Sequence, residues 1–148
     1  MPPVSDRFSP WESSAINAMV NGWSIFEDCI GGCRFLMNNP KLVMDAFNAA
    51  TNFDLSLSEA IKSGKRVVNT LRIFNIMNGL TPDMEAPSER YGSTPIDGPA
   101  KGIGIMKHWD IIKDVYYRLM GWDYNTGKPL PTTLRDLGLG ELISKIWD

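Results

Sequence analysis

From Ser9 onward, apolar residues recur at the three- and four-residue spacing of one helical face: Ala15, Ile16, Met19, Val20, Trp23 and Phe26. The preceding "SPWE" is a helix start, since Ser9 can cap, Pro10 suits the first turn and Glu12 can reach back. The pattern predicts a helix over 10–28. The Gly31-Gly32 pair ends it, because glycine takes positive φ without steric cost. A second helix is predicted from the cap Asn39 and Pro40 to about 52, burying Leu42, Val43, Ala46, Phe47 and Ala50. A third starts at Ser56, which stands at capping-box spacing from Glu59. Its expected apolar face is Ala60, Ile61, Val67, Val68, Leu71, Phe74 and Met77, and Gly79 stops it.

Pro82, Pro87, Pro95 and Pro99, interspersed with glycines, deny a regular element to 81–104, which therefore reads as a long connection hugging the surface. A fourth helix over 107–120 carries Ile111, Ile112, Val115, Tyr116 and Leu119 and stops at Gly121. Short helices at "TTLRDLGL" and "ELISKIW" close the chain, and neither a period-2 strand nor an internal repeat is visible. The expected fold is all-α: a single irregular multi-helix domain over 1–148 with a long Pro/Gly-rich connection.

Composition narrows the function classes. With 148 residues, 43% of them hydrophobic, the chain can bury roughly 70% of its unfolded surface and needs no covalent staples. A net charge of -2 gives no basic footprint, so nucleic acid is not an expected partner. No apolar run is long enough to span a bilayer, and "MPPVSDRFSPW" lacks the order of a signal peptide. A cytoplasmic protein with no membrane partner is expected. The two cysteines are too few for a disulfide scaffold.

Both cysteines fall in "EDCIGGCRF", where Cys29 and Cys33 flank the two glycines. On spacing alone they read as two buried thiols around a turn. A C-x-x-C redox pair would have a shorter spacer and sit at a helix N-terminus, where the dipole favours thiolate. A zinc site from Cys29, Cys33 and His108 would need a fourth, borrowed ligand. A Cys-His nucleophile pair is available on inventory, with His108 the sole imidazole. Two local features point toward a ligand. Glu27 and Asp28 occupy the last turn of the first helix, where anions are disfavoured by up to about 1 kcal/mol, so a partner such as Arg34 is called for. Gly31 and Gly32 leave room for a flat or anionic group to approach backbone N–H groups.

"DCIGGCR" also resembles the D-x-x-G-x-C motif of the tungsten-containing aldehyde ferredoxin oxidoreductases. "RVVNTLRIFNIMNGLT" is similar to that family's R-x-x-N-x-x-R-x-F-N-x-x-x-G segment, through Arg66, Asn69, Arg72, Phe74, Asn75 and Gly79. "GPAKG" and "YYRLMGWDYNTGKPLPTTLRDLGL" resemble its closing stretch, so the likeness runs in order over 28–139. It departs at Gly32, where a larger apolar residue is usual, at Met120, where Arg is usual, and in "DMEAPSER", whose Pro87 and Arg90 stand one residue further apart.

The resemblance implies an enzyme with tungsten or molybdenum between the dithiolenes of two pterins, beside a [4Fe-4S] cluster. Such an enzyme oxidises aldehydes to carboxylic acids and passes electrons to ferredoxin. It implies that Asp28 contacts a pterin, a carboxylate matching paired N–H donors, that Gly31 and Gly32 give the cofactor room, and that Cys33 is the fourth cluster thiolate. Cys29 has no counterpart in the motif, and no catalytic residue is assigned to this chain. A [4Fe-4S] cluster takes four thiolates, and the family draws the other three from a C-x-x-C-x-x-x-C run upstream. The expectation is therefore a C-terminal, cofactor-enclosing domain whose N-terminal pterin and cluster domains are absent, which binds no cofactor and is inactive alone, and whose partner is the missing N-terminal part or subunit. The alternative expectation is a non-catalytic helical interaction module that keeps the fold without cofactor, using Trp23, Phe26 and Phe35 as contact surface.

Overall fold

The computed structural model describes Asp6 and residues 8–147. The extremes of the expected 1–148 domain, and part of the segment examined for a signal peptide, lie outside the described residues. Three long helices open the chain: α1 (Pro10–Cys29), α2 (Pro40–Thr51) and α3 (Leu57–Met77). Their starts follow the local chemistry expected of them. Ser9 Oγ accepts from the Glu12 amide at 3.3 Å and Asn39 Oδ1 from the Leu42 amide at 3.2 Å. Ser56 and Glu59 form a complete capping box. At the far end of α1 the chain passes Ile30 into Gly31 at φ 73°.

The connection carries one 3-10 turn, Pro82–Glu85, and one helical turn, α4 (Glu89–Gly92), where no regular element was expected. A second 3-10 turn, Ile105–His108, leads into α5 (Trp109–Met120). After α6 (Pro131–Asp136), the expected final helix is a 3-10 segment, Gly140–Lys145. Among the described residues there is no strand, only an isolated bridge between Trp122 and Pro129. The fold class is all-α.

Helix α1 is the axis of the fold, packed against α3 on one side and α5 on the other. The α1–α3 seam is built on small residues. A Cβ at Gly64 would lie 1.8 Å from the Gly22 carbonyl oxygen, so the two backbones touch directly, and the small side chains of Ala18 and Ala60 on the same two helices are both buried. On the α5 side, Ser14 Oγ donates to the Ile112 carbonyl at 2.6 Å and Asn21 Nδ2 to the Tyr116 hydroxyl at 2.5 Å. Three apolar cores result. Phe26, Met44 and Ala60 join α1, α2 and α3, while Ala18, Tyr117, Met120 and Trp122 join α1 to α5. Ile73, Leu134, Leu137, Leu139 and Ile146 hold the C-terminal segment on α3.

Several side chains expected in the core are on the surface instead. Leu42 on α2, together with Leu71, Phe74 and Met77 on α3, is more than half exposed, and Ala46 and Ala50 are exposed as well. Helix α3 turns Asn69, Arg72 and Ile73 inward in place of that apolar stripe. The polar pair is tolerated inside because partners distant in sequence satisfy it. Arg72 donates to the Gly127 carbonyl at 2.8 Å, to both Glu85 carboxylate oxygens and to the Tyr117 hydroxyl at 3.1 Å. Its guanidinium lies 4.4 Å from the centre of the Trp122 ring, whose indole N–H donates to Asn69 Oδ1 at 2.9 Å. The exposed apolar residues have a counterpart in total area. The accessible surface is 9731 Å², against roughly 7,500 Å² for a compact monomer of this mass.

Candidate functional site

The turn after α1 is where the sequence placed its chemistry. Asp28 is half exposed and pairs with Arg34 at 3.3 Å, the partner its helix-end position calls for. Both Cys29 and Cys33 are free and exposed, which corrects the expectation of buried thiols. Two hydrogen bonds tie the turn together, from the Gly31 amide to the Asp28 carbonyl and from the Gly32 amide to the Glu27 carbonyl. Nothing lies within 4 Å of the place a Cβ would take on Gly31. At Gly32 a Cβ would instead lie about 2 Å from the Met37 sulfur, so that position is covered by a flexible side chain. Phe35 (91% exposed) and Leu36 (80%) stand uncovered immediately beyond Cys33.

This geometry suits a group delivered from outside the chain. A thiol and a carboxylate are both exposed in this turn, and the adjoining Phe35 and Leu36 have no cover. The donor set is incomplete for a metal. Among the described residues, no group of three or more His, Cys, Asp or Glu is placed to hold an ion. His108 instead lines a small cavity with Phe8, Pro10 and Ile105, apart from the cysteines, which leaves the zinc and Cys-His readings without a site.

The Arg72 network is a second polar cluster. Burial alone would pull Arg72 down, but its hydrogen bonds to Glu85 and that carboxylate's charge hold it above its ordinary value. Burial, reinforced by the hydrogen bond to Glu85, pushes Tyr117 up to about 12. The hydroxyl therefore stays a donor to Glu85 while accepting from Arg72. Glu85 and Tyr117 also line a cavity of about 590 Å³ between α1 and α5. Periodicity alone assigned Asn69 and Arg72 no interior role; the segment spacing that includes them was the one available signal.

The family model for aldehyde ferredoxin oxidoreductase, domains 2 and 3, matches residues 1–139. The chain belongs to the aldehyde ferredoxin oxidoreductase family. Tungsten-containing aldehyde ferredoxin oxidoreductases of Pyrococcus abyssi and Pyrococcus horikoshii are each 35% identical over 104 residues, and that of Thermococcus kodakarensis is 33% identical over 104. Each match covers 67% of this chain and 16% of the relative's length. No solved structure matches at a significant level. No helix among the described residues is long and apolar enough to cross a membrane.

Proposed function

We propose that this chain is the C-terminal, cofactor-enclosing domain of a bis-pterin tungsten or molybdenum oxidoreductase that oxidises aldehydes to carboxylic acids. The observation that carries this reading is the turn itself: Asp28 and Cys33 both exposed, with open space at Gly31, beside uncovered Phe35 and Leu36. Asp28 would accept the paired N–H groups of a pterin, exchanging its bond with Arg34 for them. Cys33 would give a thiolate to one iron of a [4Fe-4S] cluster, whose other three thiolates come from the N-terminal part. Gly31 and Gly32 would shape the turn between them, with Gly31 giving clearance. When bound, the metal and its pterins supply the two-electron oxidation and the cluster carries the electrons toward ferredoxin. The chain's own contribution is to position, to ligate once and to exclude water, and alone it binds neither group. A cytoplasmic location goes with this role.

The test combines the purified chain with separately produced N-terminal oxidoreductase part under anaerobic conditions. A thiol reagent should label both Cys29 and Cys33 in the isolated chain, and Cys29 alone after assembly. Cys33→Ala should lower the iron content of the assembled protein. Full iron content in that variant, or Cys33 still reactive after assembly, would remove the assigned role. A second reading, a non-catalytic interaction module, draws on the large exposed apolar area. Assembly that proceeds without any iron, in wild type and variant alike, would favour it. Phe26 could not serve as its contact surface, being 5% exposed, whereas Phe35 could.

A further inference from the structure

Three charged side chains, Arg34, Glu85 and Lys113, line the cavity of about 590 Å³ between α1 and α5. Two of them are engaged within the chain. Both Glu85 carboxylate oxygens accept from the Arg72 guanidinium, and one accepts from the Tyr117 hydroxyl as well. Arg34 is paired with Asp28. Lys113 is different: its ammonium makes no hydrogen bond, and its one ion pair, with Asp110, stands at 4.0 Å from a side chain that is 87% exposed. No ion pair joins it to Glu85.

A surface lysine carries its ammonium into water on a flexible stem. The Lys113 side chain is only 17% exposed and lies along the cavity wall instead. Its Nζ nevertheless keeps accessible surface, since Glu27 Oε1 is the one fully buried, unpartnered side-chain polar atom among the described residues. A cation partly withdrawn from water gains from an anion brought to it. Two hydroxyls on the same cavity are unengaged as donors. Tyr116 accepts from Asn21 but donates to nothing, and burial raises its pKa, so the proton stays in place. Ser24 makes no side-chain hydrogen bond. The free groups are therefore one cation and two hydroxyl donors, beside apolar walls from Val20, Ile25, Trp109 and Ile112. One free cation balances one negative charge. A dianion such as phosphate would set its second charge against Glu85, whose own charge Arg72 already offsets.

We propose that this cavity binds a small monocarboxylate with an apolar body, and that Lys113 holds its carboxylate. The site rests on this cavity alone, and stands or falls apart from the roles given to Asp28 and Cys33.

Benzoate serves as the probe and neutral benzamide, of the same shape, as its control, each titrated calorimetrically into the full chain. Benzoate should bind saturably and benzamide about tenfold or more weakly, the worth of one hydrogen bond to a charged group. Lys113→Met keeps the apolar stem and should remove that preference, whereas Lys113→Arg should restore most of it. Ser24→Ala, a smaller change that leaves the charge in place, should weaken benzoate about threefold. No saturable benzoate binding, benzamide bound as well as benzoate, or undiminished benzoate binding by either folded variant would each overturn the proposal. Inorganic phosphate should not displace benzoate, and displacement would overturn the limit to a single charge. Benzoate should still bind once the N-terminal part is assembled; its exclusion there would show that the cavity is filled by that part rather than by a small molecule.

Discussion

Replacing Gly64 by alanine tests the packing that aims α1, and with it the Asp28 to Cys33 turn. In an exposed helix interior this change stabilises by about 0.5–1 kcal/mol, since alanine loses less backbone entropy. Here the new Cβ would meet the Gly22 carbonyl oxygen at 1.8 Å, the Gly22 carbonyl carbon at 2.8 Å and the Phe26 amide nitrogen at 3.0 Å. All three are backbone atoms, so no side chain can swing aside. Reaching ordinary contact needs the helices to part by roughly 1.5 Å, and a gap of even half that forfeits a quarter or more of each contact's attraction along the seam. Overpacking of this kind costs about 1–3 kcal/mol, and from the upper end the propensity gain leaves a net loss of about 2 kcal/mol. Gly22→Ala is the built-in comparison. Its Cβ would meet the Ile61 carbonyl oxygen at 2.7 Å and the flexible Lys65 side chain at 2.9 Å, so relief needs a much smaller shift. Its expected cost is about 0–1 kcal/mol. Urea unfolding followed by far-UV circular dichroism measures both, at unchanged slope. A Gly64→Ala variant as stable as the wild type, or more so, would show that the helices do not cross at these two glycines.

Arg72→Met should destabilise the chain by about 2–4 kcal/mol, the low side of the usual range for breaking a buried pair because the Glu85 side chain is a quarter exposed. A double-mutant cycle with Glu85→Gln should show coupling between the two, and additive losses would argue that they do not interact. Tyr117 predicts a pH dependence. Its folded-state pKa of about 12 lies above the ordinary tyrosine value near 10, so the protonated form is the one the fold favours. Its contribution is complete below pH 10 and is lost as pH rises through about 12. Urea unfolding across that window should show stability falling more steeply in the wild type than in Tyr117→Phe; parallel curves would refute the assignment.

Helix positions were legible because their signals are local. A cap and the amide that donates to it lie three residues apart in Ser9 and Glu12, in Asn39 and Leu42, and in Ser56 and Glu59, and each pair forms the bond its spacing predicts. Which face each helix buries was less legible. Helix α3 carries a large apolar stripe, Leu71, Phe74 and Met77, and a smaller-featured side with Ala60, Gly64, Asn69 and Arg72. Hydrophobicity favours the first stripe, but close approach to α1 selects the second. Asn69 and Arg72 can be buried because Trp122, Glu85, Tyr117 and Gly127 complete their hydrogen bonds from far along the chain.

The candidate site divides in the same way. Its residue types, order and spacing, Asp28, Gly31, Gly32 and Cys33 at the end of a helix, were written in the sequence and carried the family. That the thiols are exposed, that Met37 covers Gly32 and that Glu27 turns inward depended on what packs around the turn. Caps, turns and motifs act within a few residues, so the sequence by itself determined where the long helices lie and which residue types they carry. Burial and pairing depend on groups brought together over dozens of residues, and those only the tertiary structure decided.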